Sequence, residues 1–276
     1  MSDNITYTEA VRILRDAGIS DAPFEARLII STVCDVSLAS ILGDPDKTYE
    51  NQTLINAIKL RATRYPLQYI LGEVGFRDCT FKVTEHTLIP RPDTELLVEY
   101  AVTHIPNNAR IADLCTGSGC IAVSTLAERP DISAIATDID PETLEVAAHN
   151  ATKNGVSDRL TLLLDDVKHP DRISEYAPFD VILSNPPYIP SMDVKGLEEE
   201  LKYEPHIALD GGDDGLDFYR AIITHYIPLL KENGFLAFEI GYDQEKAMLL
   251  LAQRHSLKCQ IIKDYGSNPR VAVLTR

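Results

Sequence analysis

An apolar run leads directly into a stiff polar loop in the stretch Phe179-Asp180-Val181-Ile182-Leu183-Ser184-Asn185-Pro186-Pro187-Tyr188. The run predicts a buried strand, and an open α/β sheet binds its ligands at the carboxyl ends of its parallel strands. Two consecutive prolines fix φ and remove two backbone donors, so the loop is rigid and rich in acceptors. Such a loop can hold a planar amide or amino group by its N–H bonds, and the ring of Tyr188 can stack on that flat group. The alternative is a proline-rich turn that binds nothing.

Helical and strand patterns alternate on both sides of this stretch, from residue 94 to the end of the chain. Such alternation predicts βαβ units and a parallel sheet covered on both faces. Strands are predicted over residues 109–115, 133–139, 160–166, 179–184 and 235–240. Helices are predicted over residues 120–128, 141–154, 216–232 and 243–255.

The last two strands, predicted over residues 259–264 and 271–274, follow a different rule. A parallel crossover needs a dozen or more residues, so these two strands must pair antiparallel or not pair at all. A mostly parallel sheet with one reversed strand near its end resembles the class I methyltransferases. We therefore predict an α/β fold with a Rossmann-like, mostly parallel seven-stranded sheet and an antiparallel last strand.

The first 72 residues contain helical patterns without a glycine loop or a cluster of acids and bases, and this predicts a small all-helical packing or recognition domain. Within it, Arg61 and Arg64 share one helix face, which we interpret as solvated. Residues 73–93 predict a β-hairpin and a proline-rich linker, in which Asp93 or Thr94 can cap the helix that follows. The predicted domains are therefore residues 1–72, 73–93 and 94–276.

Composition excludes several classes of function. A formal net charge of -16 disfavours stable nucleic-acid binding, which relies on clusters of Lys and Arg. Five scattered cysteines without C-x-x-C predict reduced thiols and a cytoplasmic location. The first four residues lack the features of a signal peptide, and no apolar stretch is long enough to span a bilayer. The dispersed histidines give no metal-ligand spacing, so we expect no metal.

Three strand ends together predict a nucleotide site. The first carries the loop Asp113-Leu114-Cys115-Thr116-Gly117-Ser118-Gly119, whose glycines let a ligand lie on the backbone. Asp138 ends the next strand at the distance from which an acid reaches a ribose hydroxyl. Asp165-Asp166-Val167 follows the third strand, where a carboxylate can accept from an adenine amine. Any one acid is as readily a helix cap, but three at successive strand ends favour a site.

The glycine loop leaves the cofactor open, because Gly117-x-Gly119-x-x-Ala122 also satisfies the dinucleotide fingerprint of dehydrogenases. Two features oppose a dehydrogenase. No His, Lys or Tyr stands out as a partner for hydride transfer, and the loop at Asn185 suits an amine or amide nucleophile.

Over its entire length the chain resembles the release-factor glutamine methyltransferases of the HemK family. The stretch Leu88-Ile89-Pro90-Arg91-Pro92-Asp93-Thr94-Glu95 is the most specific of the shared motifs, and the loop at Asn185 is less specific because DNA adenine methyltransferases share it. The other shared stretches are Pro66-Leu67-Gln68-Tyr69-Ile70-Leu71-Gly72, residues 113–119, Tyr203-Glu204-Pro205 and Ala208-Leu209-Asp210-Gly211-Gly212.

The resemblance implies S-adenosylmethionine as methyl donor and, as acceptor, the glutamine in the Gly-Gly-Gln motif of class I peptide chain release factors. It implies that Asp138 binds the ribose and that Asp166 and Val167 flank the adenine. The methionine and ribose end would be lined by Cys115, Thr116, Gly117, Ser118 and Gly119. Asn185 would meet both cofactor and substrate, and the glutamine pocket would be completed by Pro186, Pro187 and Tyr188.

Cys115 departs from this pattern, because the family usually has glycine there. We expect Gly117 and Gly119 to take the positive φ values, leaving Cys115 in ordinary backbone geometry. The chemistry does not need its thiol.

The acceptor suggests the mechanism. A carboxamide nitrogen is a poor nucleophile, and the side-chain oxygen of Asn185 with the carbonyl of Pro186 can accept its two N–H bonds and stabilise growing positive charge. Three hypotheses remain: protein-glutamine methylation, adenine N6 methylation of DNA, and a non-catalytic binding protein on the same scaffold.

Overall fold

The computed structural model describes residues 4–276. The first three residues, on which the prediction about a signal peptide partly rests, lie outside the described residues. The chain divides into two compact units. One contains the residues up to Glu73 together with Glu198–Tyr203, and the other contains Val74–Leu197 and Glu204–Arg276. The return of Glu198–Tyr203 to the first unit is a feature that sequence patterns did not indicate.

The first unit is helical, with one short two-stranded ribbon. Its apolar core includes Leu14, Ile29, Ile30 and Ile58, all fully buried. Side chains of Thr6, Ser37 and Asn51 cap the starts of three of its helices, and Thr6 forms a reciprocal capping box with Glu9. Its elements are β1 (Ile5–Thr6), α1 (Tyr7–Asp16), α2 (Ala22–Cys34), α3 (Leu38–Gly43), β2 (Thr48–Tyr49), α4 (Gln52–Ala62) and α5 (Leu67–Leu71).

Arg61 lies inside this unit, so its interpretation as part of a solvated face was wrong. It is 3% exposed and forms ion pairs with Glu25 of α2 and with Glu200 of the returning segment. A buried guanidinium requires such partners. The returning segment also donates the Tyr203 hydroxyl to the carbonyl of Thr63 at 3.0 Å. These contacts fix Glu198–Tyr203 to the end of α4.

The second unit is built on a seven-stranded sheet, which confirms the predicted fold class. The strand order is β10-β11-β9-β8-β5-β6-β7, and all neighbours pair parallel except β11, which is antiparallel to both β9 and β10. The two final strands do pair antiparallel, as their short connection requires. The strands are β5 (Arg110–Leu114), β6 (Ser133–Asp138), β7 (Leu160–Leu164), β8 (Phe179–Ser184), β9 (Leu230–Glu239), β10 (Lys258–Lys263) and β11 (Pro269–Thr275).

Helices cover both faces of this sheet, and two apolar clusters fill the space between the layers. The helix predicted over residues 216–232 ends early, at Tyr226, because Pro228 cannot continue it, and β9 begins at Leu230. The helices are α6 (Glu95–His104), α7 (Cys120–Glu128), α8 (Pro141–Lys153), α9 (Ser191–Val194), α10 (Asp217–Tyr226) and α11 (Glu245–Arg254).

The predicted hairpin is present as β3 (Glu73–Phe76) and β4 (Cys79–Lys82). Phe76 and Phe81 pack edge to face in the core of the second unit. Asn150 of α8 pairs with both the N–H and the carbonyl of Lys82 and also donates to the carbonyl of Ser118 at 2.9 Å. One buried amide therefore ties the hairpin to the glycine loop.

Candidate active site

A cavity of about 660 Å³ lies within the second unit, at the carboxyl ends of β5, β6, β7 and β8. Gly119, Pro186 and Tyr188 are not among the residues that line it. The predicted site residues that do line it are Cys115, Thr116, Gly117, Ser118, Asp138, Asp166, Val167, Asn185 and Pro187.

Asp113, the fully buried penultimate residue of β5, holds the glycine loop in place from the protein interior. Its Oδ2 accepts the hydroxyl of Thr116 at 2.6 Å and the N–H of Ala122 at 3.2 Å. Burial raises the pKa of this carboxyl to about 7, against the effect of these two hydrogen bonds. Asp113 thus shapes the loop and the start of α7 from inside the fold.

Cys115 has a φ of 58°, so the expectation of ordinary backbone geometry there was wrong. Gly117 and Gly119 also have positive φ, of 57° and 82°. Three residues of the loop therefore adopt the left-handed conformation where two were expected. The reason is steric: the chain must reverse between β5 and α7 within a few residues, and a side chain at this φ costs about 1–2 kcal/mol. Burial, with Asp138 and Asp113 nearby, raises the pKa of the Cys115 thiol well above its ordinary value, which opposes a nucleophilic role.

Asp138 ends β6 beside the loop. Its Oδ2 accepts the N–H of Gly117 at 2.9 Å and its Oδ1 accepts the N–H of Asp140 at 3.2 Å. Burial is the main cause of the raised pKa of this carboxyl, and the backbone N–H groups oppose it. Each oxygen keeps lone-pair capacity for a ligand hydroxyl on the cavity side.

The carboxylates of Asp165 and Asp166 have different surroundings, and the sequence alone did not show which of the two faces a ligand. The Asp165 carboxylate accepts backbone N–H bonds from Asp171, Arg172 and Ile173 at 3.0–3.2 Å, so it organises its own loop. Asp166 has one such bond, from the N–H of Lys168 at 2.8 Å. Asp166 is therefore the freer of the two carboxylates toward a ligand.

The loop at Asn185 is clamped through its backbone by a distant segment. A Cβ on Gly211 would lie 2.7 Å from the Cα of Tyr188, and one on Gly215 would lie 2.3 Å from the Tyr188 carbonyl oxygen. Gln244 donates to that same carbonyl at 3.0 Å. Only glycine permits such close approach, so the Gly-Gly stretch near residue 211 serves the rigidity of the acceptor loop.

Thr94 has a different role from the predicted helix cap. It occupies the cap position of α6, but its side chain makes no capping bond. Its hydroxyl instead accepts a hydrogen bond from Asn185 Nδ2 at 3.2 Å, and its side chain lies close enough to the Glu239 carboxyl to lower the pKa of that group. The Tyr188 hydroxyl makes a long contact with Glu239 Oε1, at 3.5 Å. Neither Thr94 nor Glu239 was predicted as a site residue, although a charged residue in the apolar stretch Phe235-Leu236-Ala237-Phe238-Glu239-Ile240 was a usable signal.

The rim of the cavity holds further polar groups. Arg91 pairs with Glu204, which also accepts the N–H of Ile89 at 3.0 Å. His86, Asp140 and Glu142 place their ligand atoms within 4.8 Å of one another, and they are the one such group found among residues 4–276. All three are exposed or half-buried.

The fold and the site together define a class I methyltransferase: a seven-stranded sheet with its last strand reversed and a glycine loop opening on the cavity. Residues 92–201 match the family model of the methyltransferase small domain, and residues 6–72 match that of the PrmC N-terminal domain. The chain is similar in fold to a solved ribosomal protein L11 methylase from Lactobacillus delbrueckii subsp. bulgaricus, with a TM-score of 0.51 at 18% identity over 71% of this chain and 84% of that one.

Similarity in sequence is closer and extends over nearly the whole chain. The release factor glutamine methyltransferase of Moorella thermoacetica is 38% identical over 95% of this chain and 94% of its own. That of Cereibacter sphaeroides is 40% identical, with the same two coverages. The chain belongs to the family of release factor glutamine methyltransferases, and the resemblance seen in its motifs is confirmed.

No helix in the described part of the chain is both long and apolar enough to cross a membrane.

Proposed function

We propose that this protein transfers a methyl group from S-adenosylmethionine to the side-chain amide nitrogen of the glutamine in the Gly-Gly-Gln motif of class I peptide chain release factors. The observation that carries the proposal is that Asn185 and Pro187 line the same cavity as Gly117 and Asp138. A rigid amide-binding loop and a nucleotide-type loop therefore open on one space, as a transfer between two bound molecules requires.

The cavity fits the adenosyl part of the cofactor. A Cβ on Gly117 would meet no atom within 4 Å, so the backbone there borders open space. Asp138 would accept from the ribose hydroxyls, and Asp166 with Val167 would border the adenine. When bound, the cofactor supplies an electrophilic methyl group on its sulfonium.

The acceptor end works by positioning. Oδ1 of Asn185, a residue that lines the cavity, would accept one N–H bond of the substrate amide and so aim its nitrogen toward the cofactor end. The carbonyl of Pro186, predicted as the second acceptor, belongs to a residue outside the cavity lining, so the substrate amide would have to reach beyond that lining to meet it. Fixed acceptors also stabilise the positive charge that grows on that nitrogen. Because Pro186 and Pro187 are buried and Tyr188 is clamped by Gly211 and Gly215, these acceptors need little reorganisation during the reaction.

The helical residues 1–72 we assign to docking of the release factor. A single glutamine side chain offers too little contact to select one protein, so specificity needs a second surface. Residues 4–72 expose four large apolar side chains, and no group of metal-ligating side chains is found among these described residues. The four apolar side chains are those of Phe24, Leu38, Leu42 and Leu60.

The central test is the transfer itself. Labelled S-adenosylmethionine is incubated with the protein and either a release factor or duplex DNA. Label on the release factor glutamine is the expected result. Label on adenine, with none on the release factor, would assign the protein to DNA modification.

The docking role is best tested in the full-length chain, because deletion of residues 1–72 would also remove the partners of Glu200 and Tyr203. We expect serine at positions 24, 38, 42 and 60 to lower kcat/KM on the whole release factor and to leave a short Gly-Gly-Gln peptide unaffected. Serine at the exposed Leu249, Leu250 and Tyr265 of the second unit is the matched control. Equal losses on both substrates would argue for a purely structural role.

A further inference from the structure

Glu239 is an acid buried directly behind the acceptor loop. It is the last residue of β9, is 3% exposed, and is absent from the cavity lining. Its Oε1 contacts the Tyr188 hydroxyl, and the Thr94 side chain lies close enough to lower the pKa of this carboxyl. Its Oε2 is buried without a hydrogen-bond partner. Such an atom is costly in a folded protein and calls for a physical reason.

The charge of Glu239 is finely balanced. Burial, and to a smaller extent Asp93, raise the pKa of this carboxyl to about 7, and Thr94, Arg270 and Tyr188 oppose the rise. Asp93 and Arg270 pair with each other at 3.0 Å. The other titratable groups facing Glu239 are Tyr188, Tyr219 and Cys120, and their pKa values are raised so that they stay neutral near pH 7. Both forms of Glu239 are therefore populated near neutral pH.

Thr94 connects this acid to Asn185. A threonine hydroxyl has one proton to donate. An ionised Glu239 can only accept, and its Oε2 has no other partner, so it draws the proton of the nearby Thr94 hydroxyl toward the carboxylate and leaves the Thr94 oxygen to accept from Asn185. The observed bond from Asn185 Nδ2 to Thr94 Oγ1 matches this direction. An amide whose nitrogen points at Thr94 has its oxygen on the other branch, free to accept from a ligand.

We propose that Glu239 is a positioning residue that, acting through Thr94, holds the Asn185 amide with its oxygen available to the substrate amide. The inference rests on the proposed function, because it names the residue that orients the Asn185 amide on which substrate binding depends. A protonated Glu239 can donate to Thr94, whose own proton then turns toward Asn185. The amide is then stable with its oxygen toward Thr94, and the substrate loses its acceptor. The proton that Glu239 gains comes from solvent.

The test is the pH profile of single-turnover methyl transfer to the release factor at saturating cofactor. For the wild type we expect the rate to rise about tenfold from pH 6 to pH 8, the change in ionised fraction of a group that titrates near 7. Glu239→Gln should be slow and lack this rise. Thr94→Val should also lose it, while Thr94→Ser should keep it. Asp113→Asn, which removes the other buried acid with a pKa near 7, should keep the rise whatever its rate.

A second readout is independent of activity. In the ¹⁵N-labelled protein the side-chain amide of Asn185 should shift with a midpoint near pH 7, and the shift should vanish in Glu239→Gln. Calorimetry should give nearly unchanged cofactor affinity for the Glu239 and Thr94 variants. A rise with pH that survives in both Glu239→Gln and Thr94→Val would overturn the proposal. A wild type that methylates no release factor at any pH would overturn the proposed function, and this inference with it.

Discussion

At the cofactor end of the cavity the glycine loop is held by residues 3 to 32 positions away in sequence, namely Asp113, Asp138 and Asn150. At the acceptor end the loop at Asn185 is held by side chains 51 to 91 positions away, from Thr94, Glu239 and Gln244. The first loop is fixed within neighbouring βαβ units, and the second by distant parts of the same unit. A local motif therefore describes the cofactor end well and the acceptor end poorly.

The largest effect should come from the acceptor end. Asn185→Ala should lower the single-turnover methyl-transfer rate by roughly 10²-fold or more, the usual loss for one preorganised polar contact. Folding should change little, because a polar side chain at the cavity adds little packing. Rates within a few-fold of the wild type, with cofactor bound, would contradict the amide-clamp mechanism.

The cofactor end is tested by Asp138→Ala. Loss of a charge-assisted hydrogen bond should weaken S-adenosylmethionine binding by roughly 1–3 kcal/mol. Isothermal calorimetry on the folded variant measures this directly. Unchanged affinity would remove Asp138 from the site.

The long-range clamp can be broken without touching a polar group. Gly211→Ala places a methyl against the Tyr188 backbone, and overpacking of this kind costs about 1–3 kcal/mol of unfolding free energy. We expect slower transfer, with cofactor affinity nearly preserved because the glycine loop has other supports. Gly75→Ala is the matched control, since a Cβ there meets no atom within 4 Å. If the two variants had the same stability and the same rate, the close contact between Gly211 and Tyr188 would not be needed for methyl transfer.

Treatment with a metal chelator should have the smallest effect on activity, because we expect no metal to take part. The cluster of His86, Asp140 and Glu142 is exposed or half-buried, and the roles assigned to the two loops of the cavity need no ion. Activity should survive dialysis against a strong chelator. Loss of activity, with recovery on adding zinc, would overturn the expectation that no metal takes part.

The sequence alone determined the fold class and the place of the site. Alternating helical and strand patterns implied the parallel sheet, and the short connection between the last two strands implied the reversed one. Parallel strands bring their carboxyl ends to one edge, so residues near positions 115, 138, 166 and 185 were expected to meet, and residues from all four regions line one cavity.

Tertiary structure decided how the site is supported. Thr94 was expected to cap a helix, and its hydroxyl faces Asn185 because β8 and the start of α6 are brought together only by the folded sheet. Cys115 was expected in ordinary geometry, and the tight reversal after β5 gives it a positive φ. Glu239 and Gly211 reach the acceptor loop across more than twenty residues of chain. Patterns of a few residues record local conformation, whereas such pairings depend on packing of the whole unit.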